Sequence, residues 1–292
     1  IFDKDGATWF ESTKHGDDKD RVIIKSNGEF AYFAADIAYY WDKRHRAENS
    51  ADVAIYMLGA DHHGYIGRMM AMCAAFGDEP GKNMQILIGQ LVNVMKDGKP
   101  VRMSKRAGNV VTIDDLVSVV GVDAARYSLA RSDYNQNFDI DLALLASHTN
   151  DNPVYYVQYA HARICSILRK AADEADAAAV EAGEMTMGEL AEKIIPEDCD
   201  LTPLTHPSEL ALMRKMADFG NLIALAARDR APFRLTHYAQ DLASLFHQFY
   251  TNCHVLTDDA DVQTARLALC DATRIVLALT LNLLGVSAPV KM

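Results

Sequence analysis

The spacing of apolar residues changes once along this chain, and that change limits the folds open to it. Up to about residue 120, short β-rich runs alternate with helical runs, whereas from about residue 146 the apolar spacing is helical. Alternating strands and helices favour a parallel sheet with crossover helices, and successive amphipathic helices favour a bundle. The sequence therefore predicts an α/β domain followed by an all-α domain.

The first part of the chain contains several predicted strands and a predicted helix. The run DVAIYMLGA (52–60) is typical of a buried parallel strand, and GYIGRMMAMCAAFG (64–77) predicts a helix that ends at Gly77. The runs RVIIKS (21–26) and MQILIGQLVNVMKDG (84–98) are also strand-like. Together they indicate strands joined through helices, as in a parallel α/β sheet.

A pattern typical of a capped helix N-terminus occurs at the end of this part. In TIDDLVSVVG (112–121), Thr112 is placed to cap a helix and Asp115 is the third residue after it. Gly121 is placed to end the same helix. The pattern predicts a short helix between Thr112 and Gly121.

The charge of the chain is unevenly distributed. The net charge is −11, but residues 173–200 alone contain ten acidic residues and one basic residue. Such a stretch is typical of a solvated surface segment. Because the rest of the chain is nearly neutral and can present local basic faces, the net charge does not exclude an RNA partner.

The cysteine pattern bears on the cellular compartment. The five cysteines are scattered and show no Cys-x-x-Cys spacing, which favours a reduced, cytosolic protein without a structural zinc site. No run of eighteen apolar residues occurs, so no transmembrane helix is predicted.

The segment 152–175 predicts an amphipathic helix with two distinct faces. At about 100° per residue, one face is apolar and the other carries two tyrosines and two cations. Aromatic rings beside cations suit unstacked RNA bases and their phosphates, but a solvated face whose tyrosines pack on a neighbouring helix fits equally well. His161 lies on the apolar side and is predicted to be a core residue. The apolar face comprises Val154, Val157, Ile164, Cys165 and Leu168; the opposite face comprises Tyr156, Tyr159, Arg163, Ser166 and Lys170.

Polar residues follow the predicted strand at 52–60. In an open α/β sheet, residues just past the carboxyl end of a strand face the ligand crevice. Gly59 allows close backbone approach there, and Asp61, His62 and His63 could contact a ribose, a base or a metal. Adjacent histidines on one loop rarely both bind a metal, so we expect no metal site.

Two further groups of residues suggest ligand contacts. Tyr32 and Asp36 are four residues apart, and an aromatic ring beside a carboxylate suits a guanidinium. The alternative is that they are surface side chains without a binding role. Lys105 lies beside Ser104 on a basic segment between two turns, ahead of Gly108. If this half binds a nucleoside triphosphate, Lys105 could neutralise charge on the phosphates; a solvated loop is the alternative.

Several stretches together resemble one family. VRMSKRAG (101–108) is similar to the Lys-Met-Ser-Lys-Ser signature loop of class I aminoacyl-tRNA synthetases, with Arg102 and Arg106 in place of the first lysine and the last serine. Four longer stretches, taken in order, resemble the bacterial arginyl-tRNA synthetases. They are residues 17–43, 59–69, 151–167 and 283–292.

This resemblance implies an incomplete Rossmann-type catalytic domain and an α-helical anticodon-binding bundle. The implied boundaries are 1–120 for the carboxy-terminal part of the catalytic domain, 121–145 for a connecting helical segment and 146–292 for the anticodon-binding domain. It also implies roles for individual residues. Lys105 and Ser104 would take part in catalysis, and Tyr32 and Asp36 would bind arginine. ATP would be bound by Gly59, Asp61, His62, Met103 and Lys105. The tRNA would be bound by Tyr156, Tyr159, Arg163 and Met292.

The implied function is the attachment of L-arginine to tRNA(Arg) through an arginyl-adenylate. ATP with Mg²⁺ is expected as a substrate, without a tightly bound cofactor or a structural metal, in a monomeric cytoplasmic protein. Two alternatives stay open: a tRNA-binding module without catalysis, and an unrelated metal hydrolase that uses Asp61, His62 and His63.

One departure from the family pattern matters for activity. None of the ten histidines lies in a His-Ile-Gly-His motif or a close variant, and the chain opens at Ile1 rather than at a methionine. We therefore expect a carboxy-terminal fragment of a longer enzyme that is inactive alone.

Overall fold

The computed structural model describes residues 1–96, 98–101 and 112–292. The chain divides into two compact units. The first contains residues 1–92 and 134–138, and the second contains residues 93–133 and 139–292.

The first unit opens with an antiparallel sheet in which β1 (Phe2–Lys4), β2 (Ala7–Phe10) and β3 (Arg21–Ile24) lie in that order. Asp5 and Gly6 join β1 to β2 with φ values of 53° and 74°. Two successive residues with positive φ are typical of the tight hairpin turn that Asp-Gly sequences form. The strand predicted at residues 21–26 is confirmed, and it belongs to this antiparallel sheet.

A parallel strand pair lies in the same unit. β4 (Ala54–Gly59) pairs in parallel with β5 (Met84–Gly89), and α2 (Ile66–Ala75) lies between them in sequence. The predicted parallel strand and the predicted helix are both confirmed. Gly59 lies opposite Gly89, so both strands end at the same edge of the pair.

Helix α1 (Tyr32–His45) is held in the first unit by buried contacts. The Tyr40 hydroxyl donates to Asp78 at 2.6 Å, and the Arg44 guanidinium donates to both oxygens of the same carboxylate at 2.9 Å each. The hydrogen bonds from Arg44 lower the pKa of Asp78 to about 2. A paired carboxylate therefore anchors α1. The apolar core beside it comprises Phe33, Tyr40, Ala54, Met69, Met72, Cys73 and Met84.

The chain then forms a third small sheet. The run at residues 84–98 contains two strands, because β6 (Val92–Lys96) follows β5 after a short break. In this sheet β6 lies between β7 (Lys99–Pro100) and β8 (Phe138–Asp141).

Helix α3 (Ile113–Val120) confirms the predicted capping pattern. The Thr112 hydroxyl accepts from the Asp115 N–H at 3.1 Å, and the Asp115 carboxylate accepts from the Thr112 N–H at 2.8 Å. Gly121 follows the last helical residue. Each group satisfies a backbone donor that the first helical turn leaves unpaired.

The segment after α3 packs with the second unit. Helix α4 (Val122–Ala130) contributes the Tyr127 hydroxyl, which donates to the Thr236 carbonyl at 2.8 Å, and Arg126, whose Nε donates to the Leu284 carbonyl at 3.1 Å. These contacts join α4 to the long helices, so residues 112–133 group with them and not with the first unit. Helix α5 (Leu142–Ala146) lies in the second unit as well.

The second unit is predominantly helical, as predicted. Helices α11 and α12 pack on each other and on both α6 and α9, and α10 packs on α9 and α11. Their bounds are α6 (Pro153–Ala171), α9 (Pro207–Ala217), α10 (Phe219–Asp229), α11 (Phe233–Asn252) and α12 (Ala260–Leu283).

The acidic segment is folded onto this bundle. It forms α7 (Glu174–Ala182) and α8 (Met187–Ile194), and α8 buries Met187 and Leu190. The segment is therefore not solvated throughout, because α8 supplies core residues, although α7 has no buried residue. No helix among the described residues is both long enough and apolar enough to span a membrane.

Candidate functional site

The first group of predicted site residues lies outside the part of the chain that the structure describes. This group comprises Met103, Ser104 and Lys105. Their predicted roles in catalysis and ATP binding stay predictions.

The predicted guanidinium-binding pair stands at the start of α1. The Ala31 N–H donates to the Ile23 carbonyl of β3 at 3.0 Å, which holds the residue before the helix against the antiparallel sheet. Tyr32 is the first helical residue and is 93% exposed, and Asp36 is half-buried one turn later. Because residues four apart share a helix face, the two side chains lie on the same side of α1.

A third residue contacts this pair. The Tyr65 hydroxyl donates to Oδ2 of Asp36 at 2.6 Å. Burial, with a further contribution from the hydrogen bond to Asp36, raises the pKa of Tyr65 to about 12, so the phenol stays a donor at neutral pH. Sequence reasoning missed Tyr65, because nothing in the local pattern links it to a helix 29 residues earlier.

Arg68 completes the cluster. Its guanidinium carbon lies 4.4 Å from the centre of the Tyr65 ring, a cation–π distance. Its Nε is buried and has no hydrogen-bond partner among the described residues. The cluster thus combines a carboxylate, a phenol and a guanidinium, and the exposed Tyr32 precedes its carboxylate by one helical turn.

The predicted ATP-binding residues follow β4. Residues Ala60–Tyr65 form a 3-10 helix directly after Gly59. A Cβ atom at Gly59 would lie 2.8 Å from Oδ1 of Asp61, so a larger residue there would displace that carboxylate. Nε2 of His62 lies 3.7 Å from Oδ2 of Asp61, and both side chains are exposed. These groups stand at the carboxyl edge of the parallel pair, where α/β sheets bind ligands.

The hydrolase alternative requires a group of side chains that can hold a metal ion. Within the described ranges, no group of three or more His, Cys, Asp or Glu side chains is arranged to hold a metal ion. Around Asp61, His62 and His63 in particular, the described structure supplies no such group.

Helix α6 confirms the predicted division into two faces. Its predicted apolar face is buried, whereas the tyrosines and Arg163 are half-buried and Lys170 is exposed. His161 is 2% exposed, and Nδ1 of its ring donates to the Pro289 carbonyl at 2.9 Å, as expected of a core histidine.

Residues of α11 join the tyrosine face of α6. The His247 ring lies 5.1 Å from the Tyr156 ring and 6.2 Å from the Tyr159 ring, measured between centroids. The Arg163 guanidinium lies 5.4 Å from the Tyr159 ring centre and 4.7 Å from that of Tyr250. Sequence reasoning missed His247 and Tyr250. Their three-residue spacing in HQFY places them on one face of α11, but does not say which helix that face meets.

Two grooves flank Arg163. One has a volume of about 540 Å³ and the other of about 440 Å³, and Arg163, Ser166 and Lys170 line both. The first groove also contains Met292, which the resemblance placed near the tyrosines. Its remaining lining residues are Tyr159, Ala162, Arg169, Ala177, Glu181 and Lys291.

The chain end reaches this groove because side chains of α6 hold it. Gln158 donates to the Ser287 carbonyl at 2.9 Å, and Arg169 donates to the Val290 carbonyl at 3.1 Å. Together with the bond from His161, these contacts follow α6 from Gln158 to Arg169. They carry Lys291 and Met292 to the groove.

The buried His161 and the half-buried His247 predict a pH dependence of stability. Burial lowers the pKa of both His161 and His247, and Arg163 lowers that of His247 further. Near and below the unfolded-state pKa of about 6.5, the unfolded chain therefore binds more protons than the folded one. We expect the free energy of unfolding to fall as pH decreases from 7.5 to 5.5, by at most about 1.4 kcal/mol per pH unit for each histidine.

Urea unfolding monitored by circular dichroism measures this dependence. His247→Gln is expected to remove part of the decrease in the free energy of unfolding between pH 7.5 and 5.5. Stability that stays constant or rises as the pH falls would contradict the prediction.

Comparison with known families gives two matches in chain order. Residues 1–143 match the catalytic domain of class I tRNA synthetases of the arginine type, and residues 157–292 match the DALR anticodon binding domain. The first match covers α1 and the parallel strand pair, and the second covers most of α6 and the helices after it.

Individual relatives agree with these matches. The arginine–tRNA ligases of Bifidobacterium longum (strain NCC 2705) and Clavibacter sepedonicus are 66% and 51% identical, and each matches all of this chain and 48% or 50% of its own length. The chain therefore spans about half the length of these curated relatives.

A solved structure shows the same architecture. A Campylobacter jejuni protein assigned as an arginyl-tRNA synthetase superimposes with a TM-score of 0.81 at 30% identity, over all of this chain and 59% of its own. The Thermus thermophilus arginyl-tRNA synthetase shares the fold with a TM-score of 0.72 at 23% identity, over 98% of this chain and 54% of its own. With both family regions present in order, the chain belongs to the arginyl-tRNA synthetase family.

Proposed function

We propose that this chain forms part of an arginine–tRNA ligase, which attaches L-arginine to tRNA(Arg) with ATP through an arginyl-adenylate. The observation that carries the proposal is the half-buried carboxylate of Asp36, one helical turn from the exposed ring of Tyr32. A carboxylate beside an aromatic ring offers a guanidinium two parallel hydrogen bonds and a stacking surface. A lysine ammonium cannot make the planar bidentate contact, which favours arginine.

The adenylate-forming groups are assigned by position and resemblance. Gly59, Asp61 and His62 stand at the carboxyl edge of the parallel pair and would line the ATP site. Lys105, with Ser104, would neutralise charge as the arginine carboxylate displaces pyrophosphate from ATP, and Met103 would lie against the adenine. ATP enters with Mg²⁺ as a substrate.

The helical unit is proposed to bind the tRNA anticodon. The supporting features are the half-buried rings of Tyr156 and Tyr159, the Arg163 guanidinium between Tyr159 and Tyr250, and the groove that reaches Met292. Rings stack on unpaired bases and the cations attract phosphates. We also infer a monomeric, cytoplasmic protein; the five free cysteines support a reducing compartment.

The second candidate function is a tRNA-binding module without catalysis. It is favoured by the 292-residue sequence itself, which has no His-x-Gly-His motif. We infer that these residues alone do not form the adenylate. The two candidates differ in whether Tyr32 and Asp36 serve arginine activation.

The isolated chain is expected to bind tRNA(Arg) with a strongly salt-dependent dissociation constant and to catalyse no arginine-dependent pyrophosphate exchange. Cations that neutralise phosphates release counterions, so log K falls linearly with log salt concentration. Fluorescence anisotropy over a salt series measures the slope, and radiolabelled pyrophosphate exchange tests activity.

Two lysine variants sharpen this test. Lys170→Ala, at the groove, is expected to reduce the salt slope by about 1. Lys193→Ala is the matched control, because Lys193 pairs with Asp176 on the acidic helices and is expected to leave the slope unchanged. Robust exchange by the isolated chain, or equal slopes for both variants, would contradict this prediction.

The whole reaction requires a chimaeric ligase. In the chimaera, the 292 residues of this chain replace the matching half of the Bifidobacterium longum ligase, to which they are 66% identical. Variants of Tyr32 and Asp36 in the chimaera separate the two candidate functions, because unchanged arginine activation would favour the binding module.

A further inference from the structure

We propose that Tyr65 is a positioning residue for arginine recognition, whose hydroxyl holds the Asp36 carboxylate in the orientation that receives a guanidinium. The inference rests on the proposed function, in which Asp36 binds the arginine side chain. It assigns a role to a residue from the 3-10 helix Ala60–Tyr65, away from α1 in sequence.

Asp36 is half-buried without a paired cation, unlike two other half-buried carboxylates of the first unit. Asp17 pairs with Arg21 at 2.7 Å, and Asp78 pairs with Arg44 at 2.9 Å. Within the described residues, Asp36 has one hydrogen-bond partner, the Tyr65 hydroxyl, and no ion pair. A half-buried carboxylate without a cation is a site at which an external guanidinium can supply the missing charge.

The bond from Tyr65 leaves room for that ligand. An ionised carboxylate has about four acceptor sites, two on each oxygen. Tyr65 uses one site on Oδ2 of Asp36, so each oxygen keeps a site for one N–H of a bidentate guanidinium. The phenol therefore restricts rotation of the carboxylate without blocking it.

Tyr65 is itself held in place. Its ring makes an edge contact with Phe33, with centroids 6.3 Å apart, and the Arg68 guanidinium covers the ring at 4.4 Å. The residue also closes the loop that begins at Gly59. The hydroxyl thus ties the helix that carries Tyr32 and Asp36 to the loop assigned to ATP.

The test is Tyr65→Phe in the chimaeric ligase, which removes the hydroxyl and keeps the ring. Hydrogen bonds to charged groups are among the stronger ones, and loss of orientation adds to the effect, so we expect the KM for arginine to rise about tenfold. The KM for ATP and the melting temperature are expected to stay unchanged. Steady-state aminoacylation with tRNA(Arg) measures both constants.

Tyr56→Phe is the matched control. The Tyr56 hydroxyl is buried in the same unit but has no hydrogen-bond partner in the described structure, so its loss is expected to leave the KM for arginine unchanged. If Tyr65→Phe and Tyr56→Phe had equal effects, or if Tyr65→Phe lowered the KM for arginine, the positioning role would be wrong.

A double-variant cycle separates this inference from the proposed function. Tyr65→Phe is expected to have no further effect on the KM for arginine in an Asp36→Asn background, because the carboxylate that it orients is gone. If Asp36→Asn leaves the KM for arginine unchanged, the proposed function of Asp36 fails. If Asp36→Asn raises that KM while Tyr65→Phe does not, only the role of Tyr65 fails. Additive effects of the two substitutions would also overturn the positioning role.

Discussion

Replacing both tyrosines of the α6 face, Tyr156→Ala with Tyr159→Ala, is expected to weaken binding of the tRNA(Arg) anticodon stem-loop by about 2–6 kcal/mol. The figure takes about 1–3 kcal/mol for each base that stacks on an aromatic ring. Both rings are half-buried and contact His247, and Arg163 lies beside Tyr159, so each ring can offer a face to a base while its other contacts hold it in place. Isothermal titration calorimetry at one fixed salt concentration measures the loss.

The matched control is the double variant Tyr156→Phe with Tyr159→Phe. It keeps both rings and their contacts with His247, so it is expected to retain most of the affinity. Circular dichroism checks that the alanine variant stays folded. A folded alanine variant with wild-type affinity would leave the tyrosines with the alternative role of packing on α11.

Asp36→Asn in the chimaeric ligase is expected to reduce kcat/KM for arginine about a hundredfold or more. Removing one partner of a buried, hydrogen-bonded charge pair costs about 2–5 kcal/mol. The asparagine keeps the shape of the side chain, but it loses the negative charge and turns an NH₂ donor toward a ligand that can only donate. Arginine-dependent aminoacylation measures the effect.

Asp42→Asn is the control on the same helix. Asp42 is exposed and pairs with Arg46 at 2.8 Å on the surface, so the same chemical change there is expected to leave kcat/KM unchanged. Wild-type activity of Asp36→Asn would remove the central support for arginine recognition by this chain.

Local chemistry was sufficient to predict several elements. The capping box of Thr112 and Asp115 and the following Gly121 predicted α3, because those contacts form within four residues of the chain. The two faces of α6 followed from helical periodicity, and burial of Val157, Ile164 and Leu168 confirms the apolar one. The Asp5-Gly6 turn and the strands on either side of it were not predicted, although Asp-Gly is a typical hairpin-turn sequence.

The acidic segment shows where local reasoning was incomplete. Its composition indicated a solvated stretch, yet Met187 and Leu190 are buried. Charge counted over 28 residues hides the apolar spacing of a single two-turn helix. The side of a helix that meets the core depends on its neighbours as well as on its own residues.

The sequence by itself determined the order of domains and the family, because periodicity, caps and motifs are properties of contiguous residues, and it predicts Tyr32, Asp36, Tyr156 and Tyr159 as binding residues. The tertiary structure alone decided that Tyr65 bonds Asp36, that His247 and Tyr250 meet the face of α6, and that the bonds of Gln158 and Arg169 hold the chain end on that helix. These pairings join elements between 29 and more than 100 residues apart. They depend on which helix faces pack together. Burial of the whole apolar surface sets that packing, and no local sequence signal specifies it.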